Sequence, residues 1–131
     1  MHTIQSWSAR YAPSVLRLGM AAVILWFSTQ QFIHPDAWVA YVPDGALSLT
    51  GLSAGTLVFL NGLFELIFGL MLLIGWQTRI SAVLLSLHLL DIMYVVGYGE
   101  IGVRDFGLAL ATLSIAMQGP DILAIEYKTP Q

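Results

Sequence analysis

The sequence predicts an all-α membrane protein: a bundle of four transmembrane helices with a short interfacial helix between the first and second. Three observations carry this. Hydrophobic residues make up 57% of the 131 and charged residues only 10%, against roughly 45–50% and roughly 25% in soluble domains. The apolar residues gather into four runs, each near the roughly 20 residues that cross a ~30 Å hydrocarbon layer. The few ionisable residues within those runs fall on particular helix faces. A soluble chain of this size leaves too much surface in water to hide so much apolar area, and lipid removes that difficulty. At this length one domain is expected, covering 1–131.

The first run covers about residues 13–33. Arg10 gives it a basic flank, as in a secretory signal, but the apolar stretch is long for one. No small-x-small cleavage site follows, since the chain continues Gln30-Gln31-Phe32-Ile33-His34-Pro35. A retained helix is expected. The longest connection follows, from His34 to Ala54. Pro35 and Asp36 mark a helix start, Trp38, Tyr41 and Val42 share a face, and Pro43-Asp44-Gly45 reads as a terminating turn. Such a segment suits the membrane surface, where aromatic rings prefer to sit.

The second run covers about 55–76, the third 80–98 and the fourth 102–118. The fourth is the shortest, with Arg104 and Asp105 at its outer end, and is expected to span with help from its neighbours. Gly119-Pro120-Asp121 stops it, and the tail beyond is expected to be exposed on the cytoplasmic side. With four spans both termini share one side. That side holds Arg10, Arg79 and Lys128, whereas the other holds Asp36, Asp44, Glu100 and Asp105 with Arg104 as its only base. Basic loops favour the cytoplasm, so both termini are placed there.

Composition also excludes function classes. There is no cysteine, so disulfides, thiolate metal sites and thiol redox chemistry are ruled out. The five basic residues are scattered, and nucleic-acid binding needs a basic patch. No serine sits in a Gly-x-Ser-x-Gly setting, so a hydrolytic triad has no support.

The chemistry therefore rests on ionisable groups inside the runs. Each costs roughly 2.5–3.5 kcal/mol on insertion scales, so it faces the bundle interior and finds a partner. At 100° per residue, Asn61 and Glu65 lie on one face with Gly62 and Gly69, and Gly55, Gly62 and Gly69 repeat every seven residues. His88 and Asp91 are adjacent at i, i+3 on a face with Ser81 and Val95. Arg104, Gly107, Ala111, Ser114 and Gln118 form a stripe in the fourth helix; Arg17, Ile24, Ser28 and Gln31 form one in the first. By depth, Glu65 and His88 are central, and Asp91, Asn61, Gln31, Arg104 and Asp105 lie toward the outer side.

One network is expected: Glu65, His88, Asp91 and Arg104, with Asn61 and Gln31 as hydrogen-bond partners and Asp105 at the mouth. Arg17, alone near the inner side, is expected to snorkel to headgroups. The network is either a packing device, as buried polar contacts between helices often are, or a site. As a site it suits proton exchange, or a quinone headgroup in a cavity lined by Trp26, Phe27, Phe64, Phe68 and Tyr94. His-x-x-Asp spacing with Glu65 is a weak metal signal, and no metal is expected.

Glu65, Gly69, Gly75 and the Thr78-Arg79 turn resemble the glutamate, glycines and Thr-Arg turn of the DoxX family. Arg104-Asp105-Phe106-Gly107 is similar to that family's Arg-Asp opening of the last helix, and Gly119-Pro120-Asp121 to its usual ending. The resemblance runs roughly from Ser14 to Asp121. It implies a four-helix prokaryotic inner-membrane protein, with Glu65, Thr78, Arg79, Arg104 and Asp105 as the matching positions. The family takes its name from a subunit of a thiosulfate:quinone oxidoreductase, and other members are linked to oxidative stress or quinone handling. The first functional expectation is thus a non-catalytic membrane subunit of a larger, redox complex. The second is a binder of quinone or another lipophilic small molecule, and the third a proton-coupled transporter working as an oligomer. Catalysis by this chain alone is not expected; at most it serves a quinone-linked oxidoreductase. Its partners are the lipid bilayer and either a protein of such a complex or further copies of itself.

Overall fold

The computed structural model describes residues 2–128, and these are all helix and connections. Four long helices, α1 (His2–Ile33), α4 (Ala54–Ile74), α5 (Thr78–Val96) and α6 (Glu100–Gln118), are joined by two short ones, α2 (Asp36–Val39) and α3 (Asp44–Thr50). The long helices pack in a ring, α1–α4–α5–α6, with α1/α4 and α5/α6 the most extensive pairings. Three of them, α1, α4 and α5, are long and apolar enough to cross a membrane. Only 33%, 28% and 28% of their apolar windows is buried within the chain. Most of that apolar surface therefore faces outward, and this is a small membrane protein.

The helix ends follow local chemistry. Ser53 caps α4 by accepting from the Thr56 amide, a favoured arrangement for a hydroxyl residue at that position. Gly75 ends α4 at φ 74°, a left-handed geometry that costs glycine little. The first helix differs from expectation. Pro13 lies inside α1 instead of opening it, and the helix extends back to His2. A proline removes one hydrogen bond from a helix interior, and α1 tolerates that loss. At 1.5 Å per residue its 32 residues reach about 48 Å. The connection also differs: Pro43-Asp44-Gly45 does not end a helix but starts α3, with Pro43 as its extended N-cap.

Met20, Ala21, Ile24, Leu72, Ala82, Leu85, Ile115 and Ala116 form the apolar core. The glycine stripe of α4 is used unevenly. A side chain at Gly62 would meet Gln31 and Phe32 at 3.3 Å, and one at Gly69 would meet Leu25 at 3.0 Å, whereas Gly55 faces open space. Gly62 and Gly69 are where α1 comes close, and that approach positions the groups described next.

Candidate functional site

Half way along the bundle, α1, α4 and α5 bring four polar side chains together. Glu65, 5% exposed, is the hub. Its Oε2 accepts from Gln31 Nε2 at 2.6 Å. Its Oε1 accepts from Asn61 Nδ2 at 3.2 Å and lies 3.1 Å from His88 Nε2. Asn61 also donates to Gln31 Oε1 at 2.7 Å, closing a triangle between α1 and α4. One turn away Ser28 donates to the Gly62 carbonyl at 2.8 Å, a bond that the missing side chain of Gly62 permits. The His88 ring lies against Phe64, centroids 4.7 Å apart, and Phe64 in turn packs on Phe68.

Asp91 and Arg104 do not join this network, contrary to expectation. Asp91 is exposed because it falls on the side of α5 opposite Leu85, Ala82 and Leu89, the face that is buried. Its i+3 proximity to His88 holds along the surface, yet the 60° offset carries it outward. Arg104 bonds its own neighbour, Nε to Asp105 Oδ1 at 2.8 Å, and its guanidinium stands 4.8 Å from the Phe27 ring centre. Asp105 is the buried member of that pair, with side-chain exposures of 45% for Arg104 and 2% for Asp105. The buried stripe of α6 is therefore Asp105, Ala109, Thr112 and Ile115, rotated from the one anticipated.

The aromatic residues likewise divide. Phe27 contacts Trp26 and Trp38 edge-on, but Trp26 is 57% and Tyr94 83% exposed, so the five expected quinone-lining residues do not converge. Among the described residues no three His, Asp or Glu side chains meet as a metal would require, and Glu65, His88 and Asp91 are no exception.

A second polar cluster, which sequence reasoning missed, lies at the end of the bundle where the chain leaves α6. Arg17 is wholly buried rather than snorkelling. Its Nε donates to Asp121 Oδ2 at 2.5 Å, and its Nη1 to the Leu72 and Leu73 carbonyls at 2.8 and 2.6 Å. Ser14 also donates to Asp121. The tail is therefore not an exposed segment: Asp121 and Ala124 are buried, and the Ile125 amide bonds the Ile74 carbonyl at 3.1 Å. Burial pushes the Asp121 carboxyl up, but donation from Arg17, Ser14 and the Leu123 amide, with the Arg17 charge, outweighs it and holds it below its ordinary 3.8.

The same end repeats one device three times. The last carbonyls of a helix and its first amides lack partners in the helix itself. Arg17 serves the carbonyls ending α4, and Arg79 those of Ala116 and Met117 ending α6, at 2.9 and 3.1 Å. Glu126 accepts from the Gln77 and Thr78 amides that open α5, at 3.0 and 2.7 Å. Cations meet helix C-termini and an anion an N-terminus, the signs that the helix dipole favours. An arginine within a span, with a carboxylate just past a Gly-Pro stop, was the available signal.

Neither the curated proteins nor the solved structures compared with this chain match it. The family model for DoxX does match, over residues 12–98. That stretch holds Glu65, Gly69, Gly75, Thr78, Arg79 and His88 and ends before Arg104-Asp105 and the tail. With well over half of its length so matched, the chain belongs to the DoxX family.

Proposed function

We propose that this chain is a non-catalytic membrane subunit of a larger, redox-linked complex. The observation that carries the reading is how the central polar groups are engaged. Glu65 accepts from Gln31 and Asn61 and lies within hydrogen-bond distance of His88, so its oxygens hold α1, α4 and α5 to one another. Among the described residues only Thr78 Oγ1 is a buried side-chain polar atom without a partner, and it lies at the start of α5, away from the network. A bundle so satisfied is suited to holding shape and presenting its outer faces. The redox character follows from the family resemblance.

In this reading residues 1–131 form one domain. All four long helices, α6 included, span a prokaryotic cytoplasmic membrane with both termini inside, and α2 lies at the outer surface. Because the chain has no cysteine, single cysteines report topology cleanly. An impermeant maleimide applied to intact cells is expected to label Ser48→Cys and to spare Lys128→Cys; the reverse pattern overturns the orientation. The functional test is isolation of the tagged chain from native membranes in mild detergent. Co-purification of an integral or peripheral redox protein in fixed ratio is expected. Recovery of the chain with no other protein, after chemical cross-linking as well as without it, would sink the proposal.

A further inference from the structure

Charge is divided unevenly along the bundle. At the end that holds the clasp, Arg10, Arg17, Arg79 and Lys128 stand against two carboxylates, Asp121 and Glu126. The rest of the chain sets Asp36, Asp44, Glu65, Asp91, Glu100 and Asp105 against Arg104 alone. A chain of net charge −3 thus carries an excess of two positive side chains at one end. An open groove of about 510 Å³ lies there, within the roughly 300–1,000 Å³ usual for a small ligand. Ala9, Arg10 and Pro13 of α1 form one wall, and Gln118, Pro120 and Tyr127 the other. Asp121 also borders it, but its oxygens are taken by Ser14, Arg17 and the Leu123 amide, and Arg17 cancels its charge. Arg10 is different. Of the four arginines it alone has no carbonyl or carboxylate partner among the described residues. It is exposed, with its guanidinium 5.9 Å from the Tyr11 ring centre.

The depth of the groove decides which anion meets it. The Ile125 and Glu126 amides bond the Ile74 and Gly75 carbonyls at 3.1 and 3.3 Å. The tail is therefore level with the turn joining α4 to α5, two helices long and apolar enough to cross a membrane. That turn exposes Trp76, a ring type that favours the headgroup level. On the other wall α1 runs about 18 Å beyond the ~30 Å hydrocarbon layer, carrying Trp7 and Tyr11 with ring centres 5.0 Å apart. The groove thus opens among headgroups, where the prevailing anion is a phosphate ester.

We propose that this groove binds the headgroup of an anionic phospholipid, with the Arg10 guanidinium on its phosphate. A guanidinium fork meets two phosphate oxygens at once, and a basic side chain at the membrane surface attracts anionic lipid. With Asp121 matched by Arg17, and Glu126 held by the Gln77 and Thr78 amides, no unpaired carboxylate borders the groove to repel it. The ligand is a lipid, not a protein, so the site stands or falls apart from the subunit reading.

The test is native mass spectrometry of the full chain, released from micelles holding phosphatidylglycerol and phosphatidylcholine in equal amounts. One basic side chain near a membrane surface shifts anionic-lipid binding about fivefold. The wild type is expected to retain phosphatidylglycerol over phosphatidylcholine by about that factor, and Arg10→Gln to bring the ratio near unity. Lys128→Gln removes the same charge from the same end without lining the groove, and should change the ratio by at most about twofold. Ala9→Phe fills the groove and keeps the charge, and should lower the ratio as Arg10→Gln does. All three positions are exposed, and unchanged melting temperatures in lipid-free detergent check that the variants fold. Glycerol 3-phosphate in large excess should leave the lipid bound. Equal retention of the two lipids by the wild type, equal losses in Arg10→Gln and Lys128→Gln, indifference to Ala9→Phe, or full displacement by glycerol 3-phosphate overturns the proposal.

Discussion

The two polar clusters in this bundle are built on different principles. At its middle, Glu65 is surrounded by neutral amides and an imidazole, and its contacts are single side-chain hydrogen bonds, to Asn61 within α4 and across to α1 and α5. At its end, Arg17 meets a full negative charge and two helix carbonyls at once. The first cluster fixes how α1, α4 and α5 are rotated against each other. The second closes the chain, tying the first helix to the tail. Similar numbers of hydrogen bonds can therefore differ in energy, because the charge left behind after one deletion differs.

That difference sets the order of expected effects. Arg17→Ala leaves Asp121 buried without its cation and strips the α4 carbonyls of their donor. Breaking a buried pair costs about 3–5 kcal/mol, read as lost stability in detergent unfolding. Arg17→Ala with Asp121→Ala should cost clearly less than the two single losses added together, because the charge left behind is gone. Strict additivity would break the comparison at its strong end.

Glu65→Gln keeps the shape and most of the bonds, setting one amide against one donor. A hydrogen bond between membrane helices contributes about 0.6 kcal/mol and at most about 1.7, so the loss should stay near 1 kcal/mol in the same measurement. A loss as large as that of Arg17→Ala would make the middle, not the end, the chief fastening of the bundle.

Acid gives the smallest and most local effect. The Asp121 carboxyl sits below its ordinary 3.8 in the folded chain. Its contribution is complete above that ordinary value and is lost as pH falls through the lower, folded one. Below about pH 4, hydrogen exchange should quicken over residues 119–128 while α4 and α5 stay protected. If α4 opens together with the tail, the two clusters form one cooperative unit.

Much of this was legible in the residues. Glycines at 75, 97 and 119 adopt positive φ at or beside helix ends, and the expected bounds of α4, α5 and α6 fall within two residues of those found. The start of α1 was not legible, because a proline that commonly opens a helix is here carried inside one. In the network, Gln31, Asn61, Glu65 and His88 follow from angle alone, since each lies on the inward side of its helix. Asp91 and Arg104 show the limit of that method. A shared stripe says that two residues are neighbours, not which way the stripe faces, and a side chain as long as arginine chooses among partners that angle does not rank. The Arg17–Asp121 pair joins residues 104 apart through a tail whose composition reads as exposed, so only its folded path reveals it.

The clasp also has a meaning in time. Arg17 is made before its counter-ion Asp121, with α4, α5 and α6 synthesised between them. Throughout that interval the cation has no carboxylate to meet. A chain that stops short of residue 121 keeps an uncompensated charge inside the bundle, whereas one that reaches Asp121 neutralises it within a few ångströms. The clasp therefore forms only after every long helix of the bundle is in place.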